Sequence, residues 1–201
     1  MKIGPRYKIA RRLGADIFEK TKTQKFALSS SVLAKRKRPM SRSDFATQLR
    51  EKQRARFFYG IGERQFARYV ANAVGNKNVR DDEGLFRALE TRLDNVIYRL
   101  GIAPSRQASR QLVSHGHFTV NGIRITIPSY SVKVGDSFKI RQGSTSKTPF
   151  QNLADRIRDH IAPHWVKFDL VKGEITVVST PKLVKNELPF NIAAILEFYR
   201  R

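Results

Sequence analysis

Arg92-Leu-Asp-Asn-Val-Ile-Tyr-Arg-Leu-Gly101, Pro104-Ser-Arg-Gln-Ala-Ser-Arg-Gln-Leu-Val-Ser-His-Gly116 and Phe118-Thr-Val-Asn-Gly-Ile-Arg-Ile125 follow one another in the middle of a chain of 201 residues, and their order decides the fold. Leu93, Val96, Ile97 and Leu100 recur at helical spacing until Gly101 stops them. Pro104 restarts the chain, Ser105 is placed to begin a second helix to about Ser114, and Gly116 closes it. Ala108, Leu112 and Val113 fall on its inward face, which leaves Arg106, Gln107, Arg110, Gln111 and Ser114 outside. Arg106 and Arg110, four apart, can grip successive phosphates, while Gln107, Gln111 and Ser114 can reach phosphate or ribose oxygens. His115, next in sequence and read as a surface or RNA-facing histidine, joins them as a candidate RNA contact. The period then drops to two: Phe118 and Val120 alternate, Asn121-Gly122 supplies a type I′ turn, and Ile123, Ile125 and Ile127 alternate back before Pro128. Val132 and Val134, a turn at Gly135-Asp136, then Phe138 and Ile140 predict a second strand pair. Two short helices alone also suit a DNA reader, but the basic hairpin directly behind them points to a reader of RNA shape.

Upstream, Asp81 or Asp82 caps a helical stretch whose stripe is Phe86, Leu89, Leu93, Val96, Ile97 and Leu100. Asn76 to Arg80 is a short linker. Before it, a helix over about Gly62 to Val74 places Phe66, Val70, Ala73 and Val74 on one side, with Gly75 as its stop. Ser43 and Asp44 cap a further helix through Phe45 and Leu49 to Tyr59, ended by Gly60. Arg50 and Arg54 are four apart in it, as are Lys52 and Arg56, so cations are expected on two exposed faces that suit insertion between RNA backbones. The competing reading is a solvated helix with Phe45 and Leu49 as its core stripe. At the far end Ile192, Ile195, Leu196 and Tyr199 form a helical stripe with no partner nearby in sequence.

The chain carries 39 Lys plus Arg against 17 Asp plus Glu, a formal net charge of +22, and the surplus is uneven. Residues 1–60 hold 17 basic and 4 acidic side chains, residues 61–90 hold 5 and 5, residues 91–141 hold 8 and 2, and residues 142–201 hold 9 and 6. Two cationic blocks thus flank a neutral one, which makes a polyanion the expected partner. The first block opens as an aperiodic arm and includes the run Lys35, Arg36, Lys37, Arg38 and then Pro39. Cysteine is absent, which removes disulfides and thiolate chemistry. No apolar run approaches the roughly 20 residues that span a bilayer, and Met1 to Gly14 lacks the apolar centre of a signal peptide, so no membrane partner is expected. Gly60-Ile-Gly62 and Gly143-Ser-Thr-Ser-Lys-Thr148 are incomplete phosphate loops. His115 with His117 and His160 with His164 lack a carboxylate or thiolate at metal-motif spacing. Neither an enzyme, a cofactor nor a metal is expected.

Gln48-Leu-Arg-Glu-Lys-Gln53, Tyr59-Gly60, Glu63-Arg-Gln-Phe66, Arg92 to Gly101, Arg110-Gln-Leu-Val-Ser-His-Gly116, Val120-Asn-Gly122, Pro128-Ser-Tyr130 and Gly135-Asp136 resemble the small-subunit ribosomal protein four family of bacteria and organelles. The resemblance spans nearly the whole chain, including Pro163, Trp165 and Ile195-Leu-Glu-Phe-Tyr199. Ser29-Ser-Ser-Val-Leu-Ala-Lys35 stands where the family carries a cysteine cluster or a Pro-Gly-Gln-His-Gly loop, and Pro181-Lys-Leu-Val-Lys185 where it carries Pro-x-Arg.

The resemblance implies an α+β protein: a basic N-terminal arm over 1–43, an α-helical domain over 44–90 with 188–201, and an inserted α/β RNA-binding domain over 91–180 with an antiparallel sheet. It implies a structural constituent of the small subunit that binds small-subunit ribosomal RNA at a helical junction of the 5′ domain, nucleates assembly, and affects decoding accuracy where mRNA enters. Ribosomal proteins three and five would be its neighbours, on the cytoplasmic ribosome of a bacterium or on that of an organelle. Junction binding is assigned to Arg50, Lys52, Arg54, Arg56, Arg106 and Arg110, and Lys35 to Arg38 with Arg42 are placed near the mRNA. The alternative is a non-ribosomal factor for ribosome recycling or RNA modification that carries the same domain. The 60 residues after Arg141 hold no recognisable catalytic domain, and recycling factors lack the basic helix region at 44–74.

Overall fold

Serine and glycine punctuation sets where the helices begin and stop. In the computed structural model, which describes residues 3–14, 17–21, 23, 24, 26, 43–151, 153, 157, 162–169, 173–184 and 188–200, α1 (Arg6–Leu13) ends at Gly14 in the left-handed conformation, φ 68°. α2 (Asp44–Tyr59) starts where the Ser43 hydroxyl accepts the Ala46 N–H at 3.3 Å and stops at Gly60, φ 65°. α3 (Glu63–Gly75), α4 (Asp81–Glu90), α5 (Leu93–Arg99) and α6 (Arg106–Ser114) follow, and α7 (Ile192–Arg200) closes the chain. Strands β1 (Phe118–Val120), β2 (Ile123–Ile125), β3 (Ser137–Ile140), β4 (Val166–Asp169) and β5 (Glu174–Val177) form one antiparallel sheet in the order β2-β1-β3-β5-β4. The class is α+β, as expected. Residues 1–85 with 183–201 make one compact unit, and residues 86–182 make a second.

In the first unit the C-terminal stripe finds its partner across the sequence, because Ile192, Ile195 and Leu196 of α7 are buried and α7 packs on α2. The stripe of α2 is not Phe45 and Leu49. Phe45 is 48% exposed and Leu49 half-buried, whereas Gln48, Glu51, Lys52, Ala55 and Tyr59 are buried. The reason is polar complementarity: Gln48 Nε2 donates to Glu197 Oε2 at 3.0 Å, and the Asn191 N–H donates to Glu51 Oε2 at 2.9 Å. In α3, Phe66, Val70 and Ala73 are buried but Val74 is 41% exposed, one residue past the stripe. The expected aperiodic arm contains structure, since Ala10 and Leu13 of α1 form a small core with Ile17, Phe18 and Phe26, against which Phe57 and Phe58 pack. Cations between those apolar positions hid their spacing.

The second unit departs from the sequence reading at Thr91 and Arg92, where the single predicted helix breaks into α4 and α5. Arg92 bridges Ser131, the Leu93 N–H donates to the Tyr130 carbonyl at 2.8 Å, and the Val132 N–H donates to the Thr91 carbonyl at 2.9 Å. The backbone groups freed by the break are thus satisfied by residues 130–132. That use of the segment also removes the predicted second strand pair: Val132 is buried, Val134 is 53% exposed, and β3 pairs with β1 and β5 instead. The hairpin turn is as expected, with Asn121 at φ 49° and Gly122 at φ 82°. Its returning strand, at the sheet edge, stops at Ile125, and both Ile123 within it and Ile127 beyond it are exposed. Register places Val120 opposite Phe138 and Phe138 opposite Ile175, so one sheet face joins Leu93, Val96, Ile97, Leu112 and Val113 in the core. Each fully buried side chain of this size contributes roughly 2 kcal/mol relative to exposure.

Candidate nucleic-acid interface

α6 is anchored at its start by Ser105, whose hydroxyl accepts the Ala108 N–H at 3.2 Å, and along its inner face by Ser109, Leu112 and Val113. Its two arginines are held by α5. Arg106 Nε donates to Asn95 Oδ1 at 2.8 Å with its guanidinium 4.3 Å from the Tyr98 ring, and Arg110 donates from Nε and Nη2 to Asp94 Oδ2 at 3.0 and 2.8 Å. Asp94 is itself buried and also accepts from Arg92, through Nε at 3.1 Å and Nη2 at 2.7 Å. Glu90, 1% exposed, accepts from Asn95 Nδ2 at 3.0 Å and from Arg99 Nε at 3.0 Å. Three arginines therefore share two buried carboxylates and a fourth, Arg106, is held by the Asn95 amide, so positive charge is in surplus beneath the exposed Gln107, Gln111 and His115. Ser114 is exposed, with its hydroxyl donating to the Arg110 carbonyl at 2.9 Å.

More cations gather at the C-terminus of α6. Arg124 reaches back from the edge strand β2 to donate from Nη2 to the His115 carbonyl at 3.2 Å, where it complements the helix dipole. Gly116, at φ 69°, makes room, because a Cβ there would collide with the Arg124 guanidinium. Beside it His117 is buried, with Nδ1 3.0 Å from Ser144 Oγ. Burial, followed by the positive charges of Lys147, His115, Arg141 and Arg124, pushes the His117 pKa below its ordinary value.

The cations of α2 behave differently, and the expectation of two exposed cationic faces is corrected. Arg50 Nε and Arg54 Nε donate to the Leu13 carbonyl at 2.7 and 2.8 Å, and Arg54 Nη2 donates to the Gly14 carbonyl at 3.1 Å, capping α1. Arg54 also pairs with Glu51. Lys52 is buried, donates to Glu63 Oε1 at 2.9 Å and lies 4.3 Å from the Phe198 ring, while Arg56 Nη1 lies 2.8 Å from Glu63 Oε2. The Tyr199 hydroxyl donates to Glu63 Oε1 at 2.7 Å. Burial raises the Glu63 pKa, but the hydrogen bonds from Lys52 and Tyr199 and the charges of Arg56 and Lys52 outweigh it and leave the carboxyl below its usual range. Burial and the Glu63 carboxylate push the Tyr199 phenol up. These cations are held against the protein by carbonyls at the end of α1 and by carboxylates on α2 and α3, with the Phe198 ring of α7 beside Lys52.

Two family models divide the chain near the break between α4 and α5. The ribosomal protein S4/S9 N-terminal domain matches residues 1–90, and the S4 domain matches residues 91–138. The small ribosomal subunit protein uS4 of Chloroflexus aurantiacus is 42% identical over 211 residues, covering 99% of this chain and 98% of that protein. The chain belongs to the uS4 family. The uS4 of Acetivibrio thermocellus is 39% identical over 204 residues, 98% of each chain, and that of Pelotomaculum thermopropionicum is 44% identical over 159 residues, 79% of this chain. In this uS4-family protein the S4 domain contains α5, α6, β1 and β2, so Arg106, Gln107, Arg110, Gln111, Ser114 and His115 all fall within it.

The structure brings those six residues together on and just after one helix. Arg50, Lys52, Arg54 and Arg56 form a separate set on α2, and Lys35, Arg36, Lys37, Arg38 and Arg42 lie outside the described residues, as does His160. No group of three potential metal ligands occurs among the described residues. Sequence reasoning missed Asp94 and Asn95, which position the α6 arginines, and Arg124. Arg124 was legible as the polar member between Ile123 and Ile125 of the hairpin, whereas Asp94 gives no sign in sequence that it faces α6.

Proposed function

We propose that this chain is a structural, non-enzymatic constituent of the small ribosomal subunit that binds small-subunit ribosomal RNA directly through the face of α6. The observation that carries this reading is the pair Arg106 and Arg110, fixed by Asn95 and Asp94 under exposed glutamines in the domain that matches the S4 model. A guanidinium held in place loses less freedom on gripping a phosphate than a mobile one, and glutamines beside it can reach ribose and base edges. The relatives that match nearly end to end are named small ribosomal subunit proteins. In this reading the target is a helical junction of the 5′ domain. Tighter binding to its folded arrangement shifts the RNA equilibrium by that difference in affinity and so nucleates assembly. Lys35 to Arg38 and Arg42 approach the mRNA where it enters, next to ribosomal proteins three and five, on a bacterial cytoplasmic ribosome. The cations of α2, the other set read from the sequence, brace the first unit through α1 and Glu63.

Binding of the purified full chain to naked 5′-domain and 3′-domain fragments of small-subunit ribosomal RNA over a salt series tests the proposal. The expected result is tight binding of the 5′-domain fragment with a steep salt dependence and poor competition by the 3′-domain fragment. Equal affinity for both fragments leaves only a polycation and overturns the specific reading.

A further inference from the structure

Alongside α6, a half-open pocket of about 370 Å³ lies within the second unit. Its apolar walls are Ile102, Pro104, Leu112 and Pro149, and Ala108 forms part of its helical side. Gln111, His115 and His117 supply its polar edges, with the two imidazoles 5.9 Å apart and inclined at 61°. The size is at the small end of ligand sites, which run from about 300 to 1,000 Å³, so it takes a single ring system.

Three properties of this pocket converge on one kind of occupant. Apolar walls with imidazole planes favour a flat aromatic ring, since unstacked bases are commonly held on histidine and other aromatic side chains. The exposed Gln111 amide offers both a donor and an acceptor to the edge of such a ring. Positive charge lies next to the pocket, because Arg124 is bonded to the His115 carbonyl, the Arg141 N–H donates to the His117 carbonyl at 2.8 Å, and the Lys147 N–H donates to the carbonyl of Ser144, whose hydroxyl meets His117. A bare phosphate has no use for the apolar walls, and a neutral ring has no use for the cations. A base-paired duplex cannot offer a base face. We infer that this pocket receives one unpaired RNA nucleotide, its base between the apolar walls and the imidazoles and its phosphates toward Arg124, Arg141 and Lys147. His117, kept neutral by burial and its cationic neighbours, can stack without adding charge.

The inference rests on the RNA-binding reading, and its test separates the two. His115 and His117 ring resonances of the full-length protein are followed by NMR during titration with the 5′-domain RNA fragment, a five-nucleotide single-stranded RNA and a fully paired RNA duplex. The two RNAs with unpaired bases should shift the His117 resonances, and the duplex should not. Ala108→Leu fills the pocket with a good helix former and should weaken the 5′-domain complex about ten-fold with the salt slope unchanged. Gln111→Ala, at an exposed position, should weaken it a few-fold. Tight, specific binding of the 5′-domain fragment with still imidazoles and normal affinity of the variants overturns the pocket and leaves the ribosomal reading standing. A His117 shift with the short RNA but equal affinity for both large fragments overturns the ribosomal reading and keeps the pocket. No shift with any RNA overturns the pocket whatever the affinities.

Discussion

α2 and α6 both carry arginines four residues apart, and the sequence alone gives no reason to treat them differently. In α2, Arg50 and Arg54 cap α1, and Lys52 and Arg56 share Glu63 with the Tyr199 hydroxyl. In α6, Arg106 and Arg110 are held from beneath by Asn95 and Asp94, and the residue after each, Gln107 and Gln111, is exposed. The first helix turns its cations to a helix cap and ion pairs, whereas the second holds its cations beside exposed glutamines. Charge counted along a chain is therefore an upper bound on charge available to a ligand.

The largest test of that contrast is Asp94→Ala. It strands Arg92 and Arg110 without their buried counter-charge and should destabilise the second unit by about 3–5 kcal/mol, read by denaturant unfolding. A loss under about 1 kcal/mol would show that Asp94 is not the anchor. Next, Glu51→Ala removes the partner of Arg54 and of the Asn191 N–H, and should cost about 2 kcal/mol in stability. RNA affinity measured below the unfolding midpoint should stay unchanged; a drop in it would give α2 a direct role. Arg110→Ala should weaken the RNA complex about ten-fold and lower the salt slope by about 1, while Arg54→Ala should leave the slope alone and lower stability. Equal slopes for both variants would erase the distinction between the helices.

The smallest effect lies in pH. His117 has its folded pKa lowered from 6.5, so the unfolded chain binds the proton more readily; its contribution is full above that pH and is lost as pH falls through the lowered value. Glu63, lowered from 4.5, acts with the same sign in a more acidic window. Fluorescence of Trp165, the single tryptophan and a buried residue of the second unit, should respond to mild acid before reporters in the first unit do. His117→Asn should remove that early phase, and persistence of the phase would assign it to another group.

Much of the fold was legible because its signals are local. Ser43 and Gly60 bound α2, Ser105 and Gly116 bracket α6, and Asn121-Gly122 turns the hairpin through backbone preferences each carries by itself. The misses share a different cause. Thr91 and Arg92 sit in a sound helical pattern, yet hydrogen bonds to residues 130–132 break it, and those partners are some 40 positions away. Phe45 and Leu49 form a plausible stripe, yet Glu197 of α7 and the Asn191 N–H just before it select Gln48 and Glu51 instead. In the site, the outward glutamines of α6 followed from periodicity, but Asn95 and Asp94, which hold its arginines, did not.

The sequence by itself determined the α+β class, the caps and turns, the cationic blocks and the α6 residues that make the candidate site, because these depend on neighbours within a few positions. Only the tertiary structure decided which group each cation meets: the Leu13 carbonyl and Glu63 for cations of α2, Asn95 and Asp94 for those of α6. Glu63, Asp94 and the Leu13 carbonyl reach these arginines through folding, and helical spacing along the sequence does not reveal such pairings.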